Sequence, residues 1–252
     1  MASPSITLAK VVKVLREHYG QPKPLPTDDP FELILWDNAA YLASPARRRE
    51  AFEQLKRTIG TSPQAILSAK QKALEQVTAH GILKSTFADK LRRCATIALT
   101  DFGGDLMAAI RGPLHTARRA LRAFPGIGEP GAEKILLFTG QQPLLAPESN
   151  GLRVLVRLGL VQEKKSYSRT YAASRQVARD LPAEPSVLQE AHLLLQQHGQ
   201  RLCKRSVPLC GACPLEPECA HARVNTPGMA LQSAKARRAT PARPAPRTRL
   251  RG

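Results

Sequence analysis

Aromatic residues make up only 4% of this 252-residue sequence, and there is a single tryptophan. Alternating β-branched and aromatic runs are correspondingly scarce, which argues against a sandwich or barrel of strands. No run of eighteen apolar residues occurs, and Met1 to Lys10 lacks a basic stretch followed by an apolar one. The chain is therefore expected neither to cross a membrane nor to be exported, and its expected place is the cytoplasm, in association with the nucleoid. Acidic residues are few: 20 Asp and Glu against 38 Lys and Arg leave a net charge of +18 and a pI near 10.3. A surplus of that size calls for a polyanion, and nucleic acid is the leading partner class. Cysteine is sparse as well: Cys94 stands alone, and the other four lie between positions 203 and 219. In a cytosolic protein such clustering reads as metal ligation rather than disulfides.

What remains is a 42% hydrophobic chain, long enough to bury the core of one large domain or two small ones. Apolar residues recur at three- and four-residue spacing between Pro, Gly and Ser, so the chain reads as all-α. Helices are expected over 5–19, 31–43, 45–59, 63–79, 86–99, 103–111, 113–124, 129–139, 149–160, 167–180 and 186–198. Ser44-Pro45 and Ser62-Pro63 each join a capping hydroxyl to a proline at the first helical position, and Ser85 and Ser186 are further candidate caps. The proline-rich stretch from Gln21 to Pro26 reads as a linker. Residues 223–252 carry eight Lys or Arg, no acid, and repeated Pro and Ala. Such a segment buries too little apolar surface to offset its ordering entropy and is expected to be a disordered basic tail. The rest of the chain stays basic without it.

The spacing Cys203-x6-Cys210-x2-Cys213-x5-Cys219 places four soft thiolates in one compact loop, with Gly211 and Pro214 allowing tight bends. Thiolate-only ligation suits a [4Fe-4S] cluster or structural zinc. Zinc sites more often use two separated pairs, and only one CxxC is present here, so iron–sulfur is favoured.

Upstream, Phe124-Pro125-Gly126-Ile127-Gly128 follows an amphipathic basic helix and precedes another helix from Glu129. A helix, a Pro-Gly-apolar-Gly turn and a second helix present successive backbone N–H groups that hold a DNA phosphate without reading sequence. The same turn also fits a plain αα-hairpin.

These residues resemble the helix-hairpin-helix DNA glycosylases of the endonuclease III type. The cysteine spacing is similar to that family's cluster loop, Phe124 to Gly128 to its hairpin, and Asp29-Pro30-Phe31-Glu32-Leu33 to the opening of its first core helix. His80-Gly81-Ile82 with Ser85 and Cys94 resembles another family stretch, and the likeness covers most of residues 28–219. It implies a six-helix domain over 28–142 beside a [4Fe-4S] cluster domain built from 1–27 and 143–222. The cysteines 203, 210, 213 and 219 would be its metal ligands. Double-stranded DNA with a damaged or mispaired base would bind a monomer in the cleft, its target nucleotide flipped out. Gly126, Ile127 and Gly128 would contact DNA, and Ile82, with Leu42, matches a place where the family wedges the duplex.

The sequence departs from the family where chemistry happens. Bifunctional members carry a nucleophilic Lys two residues after the last hairpin Gly, and here that position is Pro130. The family's Asp falls at Glu148. In the adenine-excising branch an acid lies seven residues after the first-helix proline, which is Asp37 here, in a stretch apolar nearly all round. Such surroundings suit a general acid. Both acids also have ordinary readings, Asp37 as a hydrogen-bonded interior group and Glu148 as a helix-start residue. Lys134, a turn beyond Pro130, is expected to reach solvent or phosphate. The resemblance therefore implies a monofunctional glycosylase with Asp37 and Glu148 as catalytic residues. A non-catalytic protein that binds damaged DNA, and a glycosylase and AP lyase with a relocated lysine, are the alternatives.

Overall fold

The computed structural model describes residues 6–225, and every regular element among them is helical. Helix α1 (Leu8–Tyr19) starts where the Thr7 side chain accepts from the Lys10 amide and buries Leu8, Val11, Val12 and Leu15. Helix α2 (Pro30–Ala39) has Asp29 as its cap and Pro30 at the first position. Its Phe31, Leu33, Ile34, Leu35, Trp36 and Ala39 are all buried, because α2 runs through the centre of its bundle with α3 (Pro45–Thr58), α6 (Lys84–Thr100), α7 (Leu106–Ile110) and α9 (Glu129–Phe138) around it. Burial contributes about 1.5–3 kcal/mol for each of the leucine, isoleucine and phenylalanine side chains among them. Helix α8 (Leu114–Arg122) precedes α9 across the glycine turn.

Past residue 142, α10 (Ser149–Arg157), α11 (Tyr167–Ser174) and α12 (Pro185–Arg201) follow, and α12 packs on α10, α1 and α9. Arg16 forks onto the Glu190 carboxylate, fixing the N-terminal helix to α12. Gly199 is needed at the α10–α12 crossing, since a Cβ there would sit 2.5 Å from the Asn150 carbonyl oxygen. Two 3-10 turns over Cys210–Ala212 and Glu216–Glu218 lead into α13 (Ala220–Asn225). Of the expected disordered tail, Arg223 to Asn225 close α13, and the remainder lies outside the described residues.

Several expectations are corrected. The helix expected over 63–79 is two, α4 (Pro63–Ser68) and α5 (Gln71–Thr78), separated by Ala69 and Lys70 in extended conformation. The cause is tertiary: the Arg92 guanidinium donates to the Leu67 and Ala69 carbonyls and to Gln71 Oε1, satisfying the end of α4 from outside. The helix expected over 167–180 is α11 followed by a 3-10 turn over Val177–Asp180. Ser44 and Ser62 are caps as expected, but Ser85 and Ser186 are not, because α6 and α12 begin one residue before each, after Leu83 and Glu184. No described helix is long and apolar enough to cross a membrane.

Candidate nucleic-acid interface and active site

Gly126 has φ +82°, and a Cβ on it would lie 2.7 Å from Asn38 Oδ1, so only glycine lets the turn close on α2. Asn38 is itself buried and donates to the Ile34 carbonyl, which holds it in place. Phe124 and Ile127 bury their side chains beneath the turn, while Gly126 and Gly128 are exposed. The hairpin therefore offers backbone outward and apolar side chains inward, with Ile127 as its anchor.

Beside it, the loop after α2 and the loop before α6 meet. The Ile82 amide donates to the Tyr41 carbonyl at 3.1 Å, and a Cβ on Gly81 would lie 2.4 Å from the Tyr41 nitrogen. Tyr41 stacks on Phe87, 4.6 Å between ring centroids. The apolar tips left outside are Leu42, 71% exposed, Ile82, 51%, and Leu83, 59%. Leu42 and Leu83 both adopt left-handed backbone, φ 54° and 56°. That conformation costs a leucine roughly 1–3 kcal/mol and persists only where the surrounding contacts impose it.

Asp37 lies on α2 opposite Lys134 of α9, whose ammonium donates to Asp37 Oδ1. Both side chains are largely enclosed, 17% and 12% exposed. Lys134 thus points at Asp37 rather than at solvent, and the all-apolar surroundings expected of Asp37 include a cation. His192 of α12 completes the group. Its Nδ1 lies 2.7 Å from the Ala146 carbonyl, and burial, aided by the Lys134 charge, pushes its pKa down to about 4. Sequence reading missed His192, because it sits on an otherwise ordinary amphipathic helix. Pro130 occupies the second position of α9, where it offers no amine. Glu148 caps α10: Oε1 accepts from the Asn150 and Gly151 amides at 2.9 Å, and Oε2 from Asn150 Nδ2 at 2.8 Å. The carboxylate is fixed as an acceptor at the positive end of the helix.

Helix α9 is anchored from behind through Glu133, which is fully buried. It accepts from Arg118 of α8, from Arg175 at 2.8 Å and from the Tyr171 hydroxyl of α11 at 2.5 Å. Burial beside Glu133 holds the Tyr171 phenol far above its ordinary range. The knot joins the hairpin to the chain beyond residue 142. An open groove runs along α10 and the start of α11, lined by Leu42 of the loop after α2 and, beyond residue 142, by Asn150, Arg153, Lys164, Lys165, Tyr167 and Arg205 among others.

The four clustered cysteines carry no disulfide and line one small cavity, about 20 Å³, with Val154, Leu158, Leu202 and Leu215 as apolar walls. Arg157 Nη1 donates toward Cys203 Sγ at 3.4 Å and to the Lys204 carbonyl at 2.7 Å, and Arg153 Nε donates to the Cys203 carbonyl at 2.9 Å. Among the described residues, no three His, Cys, Asp or Glu side chains converge on a single-ion position.

No family model matches the chain. A Methanocaldococcus jannaschii protein named as a candidate DNA repair glycosylase is 21% identical over 220 residues, covering 83% of this chain and 94% of that one. The thymine-DNA glycosylase of Aeropyrum pernix is 24% identical over 80% of this chain and 87% of its own length, and endonuclease III of Haemophilus influenzae is 25% identical over 83% and 93%. Among solved structures, a non-covalent endonuclease III–DNA complex superposes with TM-score 0.70 at 19% identity, covering 87% of this chain and 98% of that one. A thermostable thymine-DNA glycosylase gives 0.67 at 14% identity, covering 86% and 97%. The chain is thus similar over most of its length to endonuclease III and to thymine-DNA glycosylase, and it shares the helix-hairpin-helix DNA glycosylase fold of the solved structures.

Proposed function

We propose that the protein is a monofunctional DNA glycosylase of base excision repair, which hydrolyses the N-glycosidic bond of a damaged or mispaired base in double-stranded DNA. The observation that carries this reading is the convergence of α2, α9, α12 and the segment ending in Glu148 around the Asp37–Lys134 pair, one turn below Pro130. The exposed hairpin glycines hold a phosphate by backbone amides. Ile82 and Leu42 enter the duplex at the vacated position. Lys134 orients Asp37, and the proton passed to the departing base is held by that pair as a unit. Glu148, fixed by its cap hydrogen bonds, faces the developing positive charge of the sugar as an acceptor and lowers its energy. Pro130 supplies no nucleophile, so no covalent sugar intermediate forms there.

Residues 28–142 serve as the hairpin domain, and the chain after them, with the N-terminal helix, as a cluster domain. The soft four-sulfur donor set around one apolar cavity, with an arginine N–H directed at a sulfur, fits a [4Fe-4S] cluster held by Cys203, Cys210, Cys213 and Cys219. Bound there, the cluster supplies a covalent staple for a loop with little core of its own. Arg153 and Arg157 hold the same loop to α10 by hydrogen bonds to its carbonyls.

A second reading draws on a specific observation: Asp37 is engaged by Lys134 and Glu148 by its own helix, as in a protein that binds damaged DNA without cutting it. Base release from duplexes with oxidised, deaminated and mismatched bases, run beside borohydride trapping, separates the readings. Release without trapping is expected. Trapping identifies Lys134 or another lysine as a lyase nucleophile, and tight binding with neither outcome leaves the binding protein.

A further inference from the structure

Tyr167 opens α11 at the rim of the groove, and it is 50% exposed. The other tyrosines have structural work: Tyr171 bonds Glu133, Tyr19 lies 3.0 Å from His198 Nδ1, and Tyr41 stacks on Phe87. The Tyr167 hydroxyl has no hydrogen-bond partner among the described residues. Its ring is in offset stacking with that of Tyr171, 6.3 Å between centroids at 17°, while half of the residue stays exposed. Lys164 and Lys165 precede it, and Arg153 and Arg205 line the same groove. Cations spaced for phosphates around an aromatic face are what an unpaired nucleotide requires. Leu42, the strained tip of the duplex-entering loop, lines this groove too, so a base it displaces emerges there. One turn along α11, Tyr171, and just past its end, Arg175, bond Glu133 of the hairpin helix, which ties α11 to the hairpin. Glu148 lies near enough that its charge, adding to burial, raises the Tyr167 phenol.

We propose that Tyr167 is the platform of a nucleobase-stacking subsite, which takes a purine or pyrimidine ring that has left the duplex and holds it in the groove among Arg153, Lys164 and Lys165. The inference rests on the DNA-binding part of the proposed function and does not need catalysis.

The test uses the full-length protein on a duplex carrying one 5-iodouracil opposite guanine, irradiated and digested, with the adduct mapped by mass spectrometry. An adduct on Tyr167 is expected. Y167F keeps its yield within about twofold, while Y167A loses it and lowers kcat/KM for base release about tenfold, with affinity for undamaged duplex unchanged. An adduct mapping elsewhere, no adduct at all, or a Y167A protein that crosslinks like wild type overturns the subsite. The wild-type map needs no variant to fold. If base release fails on every lesion while the adduct stays on Tyr167, the glycosylase reading falls and the subsite stands. If base is released but the adduct lies elsewhere, the reverse holds.

Discussion

The Asp37–Lys134 pair joins residues 97 positions apart, and nothing in either local sequence announces it. Counting from Pro30 finds the acid, but its partner becomes visible only when α2 and α9 pack. Removing either charge strands the other in an enclosed place, so D37N and K134M should each lower stability by about 2–4 kcal/mol, and the double variant by less than their sum. Denaturant melts of the four proteins measure this, and base release should be lost in all three variants. His192 gives a second residue-scale expectation. Its folded pKa of about 4 lies below the ordinary 6.5, so between those values the unfolded chain binds a proton that the native chain does not. Stability is therefore full above pH 6.5, falls as pH drops from 6.5 to 4, and loses nothing more from this group below that. H192N, which keeps a donor for the Ala146 carbonyl, should flatten the fall by roughly 3 kcal/mol in melts taken across that window.

Among elements, the hairpin was the most legible, because closing its turn on α2 requires glycine at Gly126. The helix starts at Pro45 and Pro63 were legible for the same local reason, a hydroxyl cap followed by proline. The break between α4 and α5 was not, since Arg92 makes it from another helix, and neither was the Glu133 knot, whose three partners come from two distant segments. For the hairpin, G126A combines a positive φ with a Cβ 2.7 Å from a buried Asn38. It should cost about 1–3 kcal/mol and weaken binding to every duplex alike, without changing preference among lesions. Fluorescence anisotropy on damaged and undamaged duplexes reads both effects.

At the scale of the whole molecule, the cysteine spacing made the gathering of Cys203, Cys210, Cys213 and Cys219 around one cavity legible, whereas the arginines that hold the loop had no local signature. Replacing any one of the four cysteines by Ala should bleach the visible absorbance of protein prepared without oxygen and leave the chain from Cys203 onward open to protease. Zinc without iron in wild-type protein would contradict the [4Fe-4S] assignment. DNA affinity should fall steeply with salt, as expected of contacts to phosphates.

The Glu133 knot and the Arg16–Glu190 fork have a mechanical consequence. They tie the hairpin helix α9 to α8 and α11, and the N-terminal helix α1 to α12, so opening the molecule between these elements means breaking charged hydrogen bonds. In the proposed DNA complex such ties shift compliance onto the duplex, which would bend until Leu42 and Ile82 meet a step soft enough to part. A mispair is softer than a matched pair, so on the proposed function the tied helices would gauge how easily DNA yields before any base is inspected.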